Sequence, residues 1–181
     1  MLFKFSLLLF SAVAFAATEI TIPSDLSDGT WLVDLANPTP DFQFLGELSG
    51  NLTGDLLLED TPEKRWSSGF QPPTDQEISC YKTWLPLHGF RHIRYWFKKK
   101  CDEGLVVATN KLWLVKVKDW AGYFCTDDRP YQCKTEQYNT MREVVEVNCG
   151  RRFGGQVHWP GMSVTFGKTF GRRVRCESGA D

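Results

Sequence analysis

Three histidines, six cysteines and several runs of cations are the residues through which this chain could do chemistry. His88 and His92 are four apart, a spacing that puts two imidazoles on one helix face, as in some metal sites. No HExxH pattern or third ligand accompanies them, so two surface histidines on a basic helix is the plainer reading and no metal is expected. His158 could act with a carboxylate (Glu136, Glu143 or Glu146) as the acid–base pair of a secreted ribonuclease, with Arg151 or Arg172 for the phosphate. Nothing in the spacing selects one of these. G-x-S-x-G and glycine-rich phosphate loops are both missing, and the cysteines look committed to bridges. The sequence therefore names no catalytic residue and calls for no cofactor.

Charge carries more information. Residues 18–65 hold ten acidic side chains against Lys64 and Arg65, a net of -8. Residues 66–181 hold 18 basic side chains against 12 acidic ones, a net of +6. Within the basic part, Arg91, Arg94 and Lys98 fall on the polar side of an amphipathic helix, and Lys99 and Lys100 extend the charge. Lys116 and Lys118 share a strand face, and Arg172, Arg173 and Arg175 cluster near the end. Such a patch either keeps the surface solvated or attracts an anionic partner: a membrane surface, a cell-wall polymer, a channel mouth or, least expected of these, nucleic acid. Trp84, Trp96, Trp113, Trp120 and Trp159 could stack on sugars or bases if exposed, although their spacing suits a core.

The first residues read as an export signal. Lys4 precedes an apolar run from Phe5 to Phe15, and Ala14-Phe15-Ala16 is the small-x-small pattern of a cleavage site, which gives a signal peptide over 1–17. The run is shorter than the ~20 residues that span a bilayer. In an oxidising compartment, Cys80, Cys101, Cys125, Cys133, Cys149 and Cys176 are expected to form three disulfides. Fifteen pairings are possible, Cys125 with Cys133 being the one that closes a short loop. Asn51-Leu52-Thr53 is a glycosylation sequon. Lys64-Arg65 resembles the cut site of kexin-type processing proteases. The expected organisation is a signal peptide (1–17), an acidic pro-segment (18–65) and a cysteine-bearing domain (66–181) of a secreted, extracellular, monomeric protein.

Two helices must position these groups. The first follows Pro86, presents Phe90, Ile93, Phe97 and Cys101 on one face and stops at Asp102-Glu103-Gly104. The second starts with Thr135 as N-cap, buries Tyr138, Met141, Val145 and Cys149, and ends at Gly150. Strand patterns cover Trp113–Val117, Ala121–Thr126, Gln156–Trp159 and Ser163–Phe166, and earlier Gly29–Leu35, Phe42–Leu45 and Asp55–Leu58. The fold class expected is α+β: a two-layer α/β sandwich with an antiparallel sheet, two helices and three disulfides.

A resemblance rests on the run Cys101-Asp102-Glu103-Gly104, then Ala121-Gly122-Tyr123-Phe124-Cys125, then Cys133 opening a helix that ends Asn148-Cys149-Gly150, then Cys176. Over roughly residues 80–176 this layout resembles small cysteine-rich effector candidates secreted by filamentous fungi. It is distantly similar to the smut-fungus killer toxins, disulfide-bonded α/β sandwiches that block calcium channels. The resemblance implies a secreted effector or toxin-like protein that binds a host or competitor target; a ribonuclease-type enzyme or a wall- or glycan-binding protein is the alternative. This chain has fewer cysteines than those toxins, and none of their functional residues maps onto it.

Overall fold

A computed structural model describes residues 18–48 and 70–176. The signal-peptide stretch with Ala16, the strand pattern over 55–58, and Asn51, Lys64 and Arg65 lie outside the described residues. Eleven strands and two α-helices follow in chain order: β1 (Thr18–Thr21), β2 (Gly29–Asp34), β3 (Phe42–Gly46), β4 (Glu77–Trp84), α1 (Leu87–Asp102), β5 (Val106–Val107), β6 (Lys111–Val117), β7 (Trp120–Thr126), β8 (Tyr131–Gln132), α2 (Thr135–Cys149), β9 (Phe153–Trp159), β10 (Val164–Phe170) and β11 (Arg173–Cys176). Seven of them form one antiparallel sheet in the order β3-β2-β6-β7-β10-β9-β4. Two short antiparallel ribbons, β1-β11 and β5-β8, complete the set. The antiparallel sheet, the two helices and the three disulfides expected from the sequence are all present.

Both helices bury their apolar stripes in one core. Phe90, Ile93, Phe97 and Cys101 of α1 and Tyr138, Met141 and Val145 of α2 meet the sheet residues Trp113, Val115, Phe124, Val157 and Phe166. Phe97 is the hub: its ring lies 4.8 Å from Trp113, 5.0 Å from Phe124 and 5.2 Å from Tyr138. Burying each such ring contributes about 2–3 kcal/mol. Gly122 makes the close approach possible, because a Cβ there would run into Ile93 and Phe97. The start of α2 differs from the sequence expectation. Lys134 is the N-cap and Thr135 is already helical. The Thr135 hydroxyl is instead drawn to the Asp102 carboxylate at the end of α1, a stronger, charged acceptor. Gly150 adopts φ 89° with an extended ψ of 145°, a positive-φ conformation open to glycine that lets the chain leave α2 for β9.

The opposite sheet face has its own core, closed by the β1-β11 ribbon. Ile20 and Ile22, with Val174 and Cys176, cover Trp31, Val33, Leu112, Leu114 and Tyr123. The strands β1, β2 and β3 belong to the acidic stretch. β2 is hydrogen-bonded to β6 over six residue pairs, from Gly29 opposite Lys116 to Asp34 opposite Lys111. The opposite charges of the two parts meet there: Asp34 reaches Lys111 at 2.6 Å, Asp28 reaches Lys116 at 3.5 Å, and Glu19 reaches Arg173 at 3.5 Å. The Lys111 hydrogen bond, together with the Ala36 backbone N–H, holds the Asp34 carboxyl below its ordinary range.

The disulfides staple both faces. Cys80–Cys149 ties β4 to α2, Cys101–Cys133 ties the end of α1 to the start of α2, and Cys125–Cys176 ties β7 to β11. The short-loop pairing of Cys125 with Cys133 is therefore not made. Cys125 lies in the core under the ribbon and Cys133 in the core under the helices, so the sheet stands between them. With closed loops of 69, 32 and 51 residues, each bridge contributes roughly 3–4 kcal/mol by restricting the unfolded chain. Non-reducing peptide mapping is expected to recover these three linked pairs; a Cys125–Cys133 peptide would contradict the fold.

Candidate functional site

Burial sorts the tryptophans. Trp96, Trp113, Trp120 and Trp159 are core residues, as is Trp31, whereas Trp84 is 52% exposed. It closes β4, an outer strand of the seven-stranded sheet, and its register partner on β9 is Phe153, 42% exposed. Cross-strand partners share a face with Cβ atoms about 5 Å apart, so the two residues project from one face, and the Phe153 ring also borders Gly150. Arg151 and Arg152, both exposed, occupy the turn before Phe153, and exposed Lys82 lies two residues before Trp84.

Local structure explains this arrangement. Between Cys80 and Trp84 the ladder shifts register, an irregularity that re-aims side chains at the end of β4 and leaves Trp84 exposed next to buried Leu85. β9 answers with glycines. A Cβ on Gly154 would press on Thr83 and Tyr81, and one on Gly155 would press on the Cys149 sulfur and the Ser79 carbonyl. The Cys80–Cys149 bridge and the hydrogen bond from the Leu85 N–H to the Arg152 carbonyl (2.6 Å) fix the strand end against the turn. Two aromatic rings and three cations are thus displayed on a braced, open surface. Its chemistry is stacking and ion pairing, and it holds no proton-transfer pair.

The expected α1 patch is present in part. Lys98 is exposed, while Arg91, Arg94, Lys99 and Lys100 are half-buried. Lys99 lies over the Trp96 ring at 4.8 Å, and Lys100 pairs with Glu103 at 2.6 Å. Arg91, Arg94 and Lys98 are each engaged by another group of the chain. Much of this charge is therefore used internally.

The ribonuclease set is brought together only in part: Arg151 lies 3.8 Å from Glu146, but His158 joins neither. Glu136, Glu143 and Glu146 sit on α2, on the helical side of the sheet, whereas Arg172 lies in the turn between β10 and β11. His158 alternates with the core residues Val157 and Trp159 and so points to the other side. It is 1% exposed, with Nδ1 2.9 Å from the Thr165 hydroxyl and no hydrogen-bond partner for Nε2. Next to it, the Tyr81 and Tyr123 hydroxyls lie 2.9 Å apart and both contact the Gln156 amide oxygen. Glu77 pairs with His158 in the β4–β9 register, an alignment invisible without the fold. The side chain of His88 lies outside the described residues, and among those described no group of three or more metal-ligating side chains occurs.

One charged cluster escaped sequence reasoning. Lys168 on β10 is fully buried beneath the helices. Its ammonium lies 3.8 Å from the Glu146 carboxylate, 3.2 Å from the Arg151 carbonyl oxygen and 4.4 Å from the centre of the Phe90 ring. Glu146 also takes Arg142 at 3.1 Å and Arg151 at 3.8 Å. Burial lowers the Lys168 pKa to about 8, against the attraction of Glu146. In sequence, Lys168 looks like one more exposed lysine between glycine and threonine.

No helix among the described residues is long and apolar enough to cross a membrane. No protein-family model, curated protein or solved structure matches the chain.

Proposed function

We propose that this is an exported, fungal-type effector or killer-toxin-like protein, which works by binding a target outside the producing cell through the Trp84–Phe153 surface. The single observation that carries this reading is that Trp84 alone of the described tryptophans is exposed, beside an exposed phenylalanine and three cations. Phe44 and Phe170 are exposed as well, but an exposed tryptophan beside a second ring and a rim of charge is the composition of a contact surface. Three disulfides suit an oxidising, extracellular setting. In this reading the helices over the sheet form a two-layer α/β sandwich, partly covered on its second face by the β1-β11 ribbon, and Lys64-Arg65 is a processing point.

The ribonuclease reading keeps one specific observation, the register of Glu77 with His158. Against it, the imidazole is buried and the proposed α2 carboxylates lie across the sheet. Incubating the secreted protein and a His158→Ala variant with total RNA separates the two readings. No cleavage by either is expected; cleavage by the wild type that disappears in the variant would replace binding with catalysis. In parallel, the labelled protein is expected to be retained on intact target cells or their walls. Retention unaffected by a Trp84→Ala/Phe153→Ala double substitution would remove this surface from the function.

A further inference from the structure

We infer that the Trp84–Phe153 surface takes an acidic polysaccharide, a sugar chain carrying carboxylates, laid across the end of the sheet. This rests on the reading that these two rings form the contact surface, and it names what they contact.

The shape of the surface comes first. Trp84 is 52% exposed and Phe153 42% exposed, so both side chains stand largely in solvent. Such exposure at an outer strand of the sheet gives an open surface. A small molecule held by recognition needs a concave site that buries most of its surface, whereas a polymer can lie across an open one. The rings come next. Trp84 and Phe153 sit opposite each other on one ladder, so their spacing is set by the strand separation and needs no induced fit. Flat apolar ring faces match the C–H faces of successive sugars. The Cys80–Cys149 bridge removes the ordering cost that a loop-borne aromatic would incur.

Charge then selects among polymers. Lys82 and Arg152 are exposed cations next to the two ring residues in the chain, and Arg151, 70% exposed, adds a second guanidinium whose Nε also lies 3.8 Å from Glu146; guanidinium groups suit bidentate pairing with carboxylates. Nucleic acid presents one negative charge per ~1.7 Å of duplex and is usually held through 6–10 phosphate contacts. Three cations fall short of that. An anionic bilayer calls for a cluster of about 4–8 basic residues and an apolar face to insert, and two rings flanked by arginines on a strand edge do not provide one. A sugar chain with a carboxylate on each residue or every second residue suits so small a number of cations beside two rings.

The test uses the secreted full-length protein and measures binding to polygalacturonate by affinity electrophoresis and calorimetry at physiological salt. The comparison probes are its methyl-esterified form, a single-stranded RNA oligonucleotide and phosphatidylserine vesicles. Polygalacturonate is expected to bind, and esterification to weaken binding at least tenfold. Trp84→Ala and Phe153→Ala should each cost about tenfold, and Lys82→Gln with Arg152→Gln should reduce the salt dependence, with unfolding midpoints unchanged. Failure of polygalacturonate to bind overturns the ligand class. If RNA or vesicles then bind in a Trp84-dependent way, the surface stands with a different partner. If polygalacturonate binds equally well to all the variants, both the ligand assignment and the surface fall.

Discussion

Expressed without residues 18–48, the cysteine-bearing part is expected not to reach the native fold. Ile20, Ile22 and Val33 are completely buried and Trp31 nearly so. Burial of each contributes about 1.5–3 kcal/mol, and their joint loss is on the order of the whole stability of a domain, about 5–15 kcal/mol. Removing β2 also strips β6 of a six-pair ladder and leaves a long apolar strand edge open to aggregation. Residues 66–181 made alone should give mixed disulfides and aggregates, while 18–181 gives one monomeric species. A cut made after folding has a different outcome. Residues 18–65 contain no cysteine, so cleavage after Arg65 leaves two chains with no covalent link. They should still co-elute on size exclusion and separate only in denaturant, without reductant. Dissociation of the amino-terminal fragment from a carboxy-terminal part that keeps its circular dichroism and its three linked cysteine pairs would show that the acidic strands are dispensable.

Replacing Lys168 with methionine should stabilise the protein by about 2–3 kcal/mol at neutral pH, raising the melting temperature by roughly 5–10 °C. The ammonium is fully buried, and its one carboxylate partner among the described residues already serves Arg142 and Arg151. Its pKa falls from 10.5 to about 8, chiefly through burial. At about 1.4 kcal/mol per unit, that shift corresponds to a cost of about 3 kcal/mol for keeping the charge inside. The unfolded lysine holds its proton up to about pH 10.5, and the folded one releases it near pH 8. Between those values the unfolded state binds more protons, so stability rises with pH through this window. Below pH 8 both states are protonated and the full cost is present. The Lys168→Met variant lacks this component, so its advantage should be largest at pH 7 and shrink toward pH 10. Thermal unfolding of both proteins from pH 7 to 10 checks this. A variant less stable at every pH would mean that the contacts to Glu146 and the Arg151 carbonyl outweigh desolvation.

The sequence by itself determined what depends on near neighbours. The α1 stripe of Phe90, Ile93, Phe97 and Cys101, the Gly150 stop of α2 and the strands around Trp113 and Phe124 are legible because period and end signals act within a few residues. The charge asymmetry was legible too, and Asp34–Lys111 and Glu19–Arg173 are its local expression. The tertiary structure alone decided which sulfurs meet, because facing across a sheet depends on strand order and not on loop length: Cys125 and Cys133, eight residues apart, belong to opposite cores. It alone decided that Trp84 is exposed among buried tryptophans, since the register shift in β4 and the outer position of that strand carry no periodic signature. It also moved His158 away from every α2 carboxylate and buried Lys168 beside Glu146. Contacts between residues distant in the chain are set by topology and packing, and a single sequence encodes those only through the fold as a whole.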